Sequence, residues 1–119
     1  MKKTLVIGAS TNPERFSYKA IHALRNAGYQ VAAIGLREGE VKDVKIETDR
    51  LPFTDIHTVT LYIGPKNQPE YYPYILSLKP SRVIFNPGTE NEPFQQMLRK
   101  AGITVVTGCT LVMLSVGNF

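Results

Sequence analysis

The stretch TLVIGASTNPERFSYKAIHAL, residues 4–24, decides the fold. Residues 4–8 are apolar or β-branched at nearly every position, the composition of a strand covered on both faces. Gly8 permits a tight turn, and a polar segment containing Pro13 follows. From residue 17 to 27, apolar residues recur at Ala20, Ile21, Leu24 and Ala27, the spacing of a helix with one buried face. Gly28 supplies its stop. Strand, glycine turn and helix in succession form the opening of a parallel α/β unit. The turn departs from the GxGxxG dinucleotide fingerprint, because Ser10 stands where a second glycine belongs and Pro13 where a third belongs.

The same alternation continues along the chain. Residues 31–35 read as a second buried strand and 59–63 as the next central one. Between them, residues 36–57 are polar and broken, with Val44 and Ile46 forming one short strand. A helix is predicted over 69–79, with Asn67 and Glu70 as its capping pair, an irregular first turn at Pro73 and an end at Pro80. Residues 82–85 form another strand. Thr89 to Glu92 has the spacing of a capping box, and Phe94, Met97, Leu98 and Ala101 form the expected buried stripe of a third helix closed by Gly102. Residues 103–106 make a last strand, and 110–116 a short helix or strand. Strands alternating with helices over short connections predict a Rossmann-like, doubly wound parallel sheet with helices on both faces, in a single domain over residues 1–119.

Composition narrows the function classes. At 119 residues, with 43% hydrophobic and 20% charged side chains, the chain has the make-up of one soluble globular domain. The lone cysteine, Cys109, excludes an internal disulfide framework and a Cys-rich zinc site, and it suits a reducing cytoplasm. The apolar run after Met-Lys-Lys is too short for a secretory signal, and no apolar stretch reaches the roughly 18 residues that cross a membrane. A cytoplasmic protein without membrane contact is therefore expected. The net charge of +4 fits either a solvated surface or a preference for anionic ligands. Tyr71, Tyr72 and Tyr74 have no basic stripe beside them, so core packing or a partner surface is expected there and nucleic acid is not.

Ligands of such sheets bind beyond the carboxyl ends of the strands, near the switch in strand order. In the first loop, Ser10, Thr11 and Ser17 carry hydroxyls that can join backbone N–H groups and the helix dipole in holding phosphate, with Arg15 and Lys19 adding charge. Without a ligand, Ser17 would simply cap the helix and Asn12-Pro13 turn the chain. In the second loop, Arg37 beside Glu38 suits a phosphorylated ribose, found in both NADP and coenzyme A. The third, Gly64-Pro65-Lys66-Asn67, can line an adenine pocket, and the fourth, Asn86-Pro87-Gly88-Thr89, can form a floor or a second anion site; both are otherwise ordinary turns. No catalytic set emerges. His22 and His57 lack partners at a recognisable spacing, and Cys109 reads as a buried, inert thiol.

The stretches VIGASTNPERFSYKA, DIHTVTLYIGP, FNPGTENE and LRKAGITVVTGCTLVML, in this order over nearly the whole chain, resemble the small single-domain CoA-binding proteins of bacteria. These are similar to the CoA-binding N-terminal domain of the succinyl-CoA ligase α subunit. The resemblance implies a pyrophosphate loop of Ser10, Asn12, Pro13, Arg15 and Ser17 behind Gly8. It implies a ribose-phosphate contact at Arg37, an adenine border at Ile63, Gly64 and Pro65, and a pantetheine side at Asn86, Pro87 and Gly88. At the end of the second strand the family often has Asn-Pro, and this chain has Gly35-Leu36-Arg37. The function expected is binding of coenzyme A or acyl-CoA without catalysis. The alternative is an NADP-linked oxidoreductase-like protein or subunit. A third reading is an interaction protein with a degenerate nucleotide site, whose apolar tail at residues 111–114 meets a protein partner or a second copy in a homo-oligomer.

Overall fold

The computed structural model describes residues 2–119, and its sheet grows outward from the first strand. Strand β1 (Thr4–Ala9) lies between β2 (Val31–Gly35) and β5 (Thr58–Leu61), parallel to both, with Leu5 opposite Ala32 and Val59. Beyond β5 lie β6 (Arg82–Phe85) and β7 (Thr104–Thr107), also parallel. Beyond β2 lies β4 (Val44–Glu47), and β3 (Gly39–Val41) pairs antiparallel with it at the edge. The order is therefore β3-β4-β2-β1-β5-β6-β7. Winding runs one way from β1 through β2 and the other way from β5, so the switch falls between β1 and β5. This is the Rossmann-like α/β architecture.

Alternation of side chains along the strands feeds two cores. Leu5 and Ile7 pack on one face with Ile75 of α2 (Tyr72–Leu78) and with Phe94 and Leu98 of α3 (Glu92–Lys100). Val6 and Ala9 pack on the other with Ile21 and Leu24 of α1 (Phe16–Asn26) and with Met113 and Leu114 of α4 (Thr110–Ser115). Each fully buried Leu, Ile or Phe contributes roughly 1.5–3 kcal/mol, which is why the continuous apolar strands at the centre sit where they do. Among the described residues no helix is long and apolar enough to cross a membrane.

Several local expectations are corrected. The broken segment after β2 forms a hairpin of two strands instead of one short strand, with Lys42 turning the chain at φ 57°. The helix expected over 69–79 is split. Two short 3₁₀ turns, Pro65–Asn67 and Pro69–Tyr71, come first, each opened by a proline that needs no N–H there. Glu70 does not pair with Asn67 as a cap; its carboxylate meets Arg50 at 3.0 Å. The cap of α3 is Asn91, not Thr89: its Oδ1 accepts from the Phe94 N–H at 3.3 Å, and its own N–H donates to Gln95 Oε1 at 2.9 Å. That start sets the helix phase, so Phe94, Gln95 and Leu98 face inward, whereas Met97 and Ala101 are exposed. The segment after Cys109 is helical. Cys109 itself is half-buried, because it stands in the approach to α4 and not within either core.

Candidate functional site

A cleft of about 910 Å³ opens over the carboxyl ends of β1, β2, β5 and β6, at the switch in strand order. Its first wall is the loop between β1 and α1. Gly8 adopts φ 94°, and a Cβ there would stand 2.9 Å from the Tyr62 carbonyl group, so only glycine lets the loop lie this close to the end of β5. A Cβ at Gly35 would collide with the Ala9 carbonyl oxygen, and one at Gly39 would stand 2.5 Å from Thr11 Cγ2. Three glycines distant in sequence thus seat one loop.

The loop then shapes itself. Ser10 Oγ accepts from the Asn12 N–H at 3.0 Å, Asn12 Oδ1 accepts from the Glu14 N–H at 3.0 Å, and the Asn12 carbonyl accepts from the Arg15 N–H at 3.0 Å. Asn12 therefore spends its acceptors on the turn, while the Ser10 hydroxyl keeps its proton for donation. Helix α1 begins at Phe16. Its cap position, Arg15, provides no side-chain hydrogen bond, and its first turn contains no acidic residue. Phe16 and Ser17 of this turn line the cleft. Ser17 does not cap the helix; it is the buried second residue of the turn. N–H groups of an uncapped first turn, with the helix dipole behind them, attract anions.

The facing wall is held by a buried amide network. Gln68, fully buried, donates from Nε2 to the Ile63 carbonyl at 3.0 Å and the Thr89 carbonyl at 2.7 Å. Its Oε1 accepts from Asn91 Nδ2 at 2.9 Å, and the same nitrogen reaches Tyr72 Oη at 2.7 Å. This ties the loop after β5 to the loop after β6, so Ile63, Gly64 and residues 87–89 form one surface. Gly88, at φ 92°, donates its N–H to Glu90 Oε1 at 2.9 Å.

Charge in the cleft comes from Arg15 and Arg37, both exposed, neither in an ion pair among the described residues; Glu14 is the carboxylate beside them. Lys19 Nζ lies 5.3 Å from the centre of the Phe16 ring at the rim. Tyr62 lines the floor, and burial pushes its phenol up to about 12. Neither histidine reaches the cleft. His22 packs on Tyr18 within α1, and His57 lies at the amino end of β5, where burial first, then Arg82 and Lys2, lower its pKa. The arrangement suits holding an anionic, partly apolar ligand.

The structure brings Gly8, Ser10, Asn12, Arg15, Ser17, Arg37, Ile63, Gly64, Pro87 and Gly88 to this one cleft. Pro13 and Pro65 lie in the same loops but do not line it. Asn86 stands behind the wall: its amide donates to Thr60 Oγ1 at 2.7 Å and the Leu61 carbonyl at 2.8 Å, and accepts from the Thr110 N–H at 2.9 Å. Its side chain holds strands together instead of facing the cleft. Asn67 and Thr89, from the third and fourth candidate loops, also line the cleft, as do Phe16, Leu36 and Tyr62, which the sequence reading does not assign to a ligand. An apolar residue beside polar loop residues was the available signal for Phe16 and Leu36, which are 66% and 94% exposed.

A family model described as CoA binding domain matches residues 2–115. No curated protein matches the sequence. Among solved structures, an uncharacterised protein is similar at 50% identity and a TM-score of 0.97, over 100% of this chain and 98% of that one. A hypothetical protein from Pyrococcus horikoshii OT3 is similar at 27% identity and a TM-score of 0.87, over 97% and 82%. The cell-free protein ID.343 from Thermus thermophilus shares the fold at 24% identity and a TM-score of 0.86, over 99% and 90%.

Proposed function

This chain belongs to the family of CoA binding domains, and from that premise we propose that its main cleft holds coenzyme A or acyl-CoA, as a binding module without a catalytic step of its own. The observation that carries the proposal is the uncapped, acid-free first turn of α1, opening into a cleft with two guanidiniums that form no ion pair among the described residues. The pyrophosphate lies against that turn and the Ser10 hydroxyl. Arg37, at the end of β2, meets the phosphate on the ribose. The adenine rests near Ile63 and Gly64, and the pantetheine arm passes Pro87 and Gly88 toward Phe16. A reducing cytoplasm, expected from the single cysteine, suits a cofactor whose working end is a thiol.

NADP also carries a phosphorylated ribose, so one titration separates the readings. Calorimetry with CoA, dephospho-CoA, NAD and NADP is expected to give CoA a micromolar or tighter constant, about −8 kcal/mol, with dephospho-CoA weaker. Binding of NADP alone would transfer the site to a nicotinamide-linked protein. Binding of none would favour an interaction protein with a lapsed nucleotide site.

A further inference from the structure

Beside the main cleft lies a second, smaller cavity of about 150 Å³, walled by Phe16, Tyr62, Asn86, Pro87, Cys109 and Leu111. Phe16, Tyr62 and Pro87 belong to both, so the two spaces adjoin. We propose that this cavity receives the acyl group of a short-chain, uncharged acyl-CoA thioester. The inference rests on the reading that CoA occupies the main cleft, and it names which CoA derivative the site prefers.

Polarity of the walls decides the class of ligand. Among the described residues no lysine, arginine, histidine or carboxylate lines the cavity. The one amide in it, Asn86, has its nitrogen engaged by Thr60 and Leu61 and its oxygen by Thr110, leaving nothing to pair with an incoming charge. The Tyr62 hydroxyl has no hydrogen-bond partner among the described residues, but it is closed off from solvent and so lies out of reach of an incoming group. A carboxylate at the end of an acyl chain would therefore lose its water with no partner in return, whereas a hydrocarbon loses little. Size sets the length. Apolar cavities of about 150 Å³ in other proteins take up a benzene ring, so a chain of up to about six carbons fits. Phe16 fits the same reading: its ring, 66% exposed, stands at the junction where a bound thioester would cover it.

The test is a calorimetric series on the unmodified protein with CoA, butyryl-CoA and succinyl-CoA. Each buried methylene strengthens binding about fourfold; three carbons in a cavity open on one side are expected to make butyryl-CoA about tenfold tighter than CoA. Succinyl-CoA, of similar length but charged, is expected to bind no tighter than CoA. Leu111→Phe, which fills the cavity, is expected to bring the butyryl-to-CoA ratio close to one. If CoA and butyryl-CoA bind equally to the unmodified protein, the acyl cavity is refuted and the CoA reading stands. A succinyl-CoA gain equal to that of butyryl-CoA would overturn the apolar assignment. Failure of all three to bind would overturn the CoA reading itself and the inference with it.

Discussion

Replacing Asn86 by alanine separates a structural role from a ligand role. Family resemblance assigns Asn86 to the pantetheine side, yet the residue is 2% exposed and its amide joins three elements. One nitrogen reaches Thr60 Oγ1 at 2.7 Å and the Leu61 carbonyl at 2.8 Å on β5, while the oxygen receives the Thr110 N–H at 2.9 Å where α4 begins. Alanine removes all of these. The Thr60 and Thr110 hydroxyls still meet each other at 2.8 Å, but the Thr110 N–H is left in the interior with no acceptor. An orphaned buried group costs about 1–3 kcal/mol, and losing the paired bonds on β5 adds about 1 kcal/mol. The expected loss is about 3 kcal/mol. At about 4 °C per kcal/mol for a chain of this size, Tm falls by about 12 °C. Urea denaturation followed by circular dichroism reads the change, with the slope on urea unchanged. A loss below about 1 kcal/mol would refute the clamp and return Asn86 to the ligand.

Gly8→Ala combines a left-handed φ with a contact of 2.9 Å to the Tyr62 carbonyl group, and is expected to cost about 2–4 kcal/mol in the same assay. Gly28→Ala has a similar φ of 87° but open space around it, so a cost of about 1 kcal/mol is expected. Tyr62→Phe removes a buried hydroxyl that has no hydrogen-bond partner among the described residues and is expected to leave stability at neutral pH unchanged or raised by up to about 1 kcal/mol. Its effect on pH dependence has a definite sign. The Tyr62 phenol titrates near 12 when folded against 10 when unfolded, so between those values the folded state holds the extra proton and stability falls as pH rises, by about 2–3 kcal/mol. Tyr62→Phe is expected to flatten most of that alkaline slope, with Tyr74, more exposed and also near 12, leaving a smaller remainder. Arg37→Ala is expected to weaken CoA about fivefold, roughly 1 kcal/mol, and to leave dephospho-CoA unchanged in calorimetry.

Much of this architecture is legible in the sequence because central strands buried on both faces must be apolar throughout. Residues 31–35 and 82–85 read as strands for that reason, and both are observed with those bounds. Edge elements carry no such signal. Strand β3 has one buried side chain, Val41, and its pairing depends on a two-residue turn at Lys42 that no glycine or asparagine announces. The capping box at Thr89 failed because Asn91, two residues on, competes for the same role and has Gln95 to complete it. In the site, the loop after β1 was legible from Gly8 and its hydroxyls. The contribution of Gly39 and of the Gln68–Asn91 network was not, because each depends on contacts between segments more than 20 residues apart.

Chemical-shift mapping of the isotopically labelled protein during a CoA titration tests the central claim most directly. The sheet has two cationic ends: Arg15 and Arg37 at the carboxyl ends of the strands, and Lys2, Lys3 and Arg82 at the amino ends. Saturable shifts are expected at residues 8–17, at Arg37, at Ile63 and Gly64, and at Gly88, with the amino ends of β1, β5 and β6 unmoved. Shifts confined to Lys2, His57 and Arg82, or no saturable shifts at millimolar CoA, would contradict a CoA site over the switch between β1 and β5.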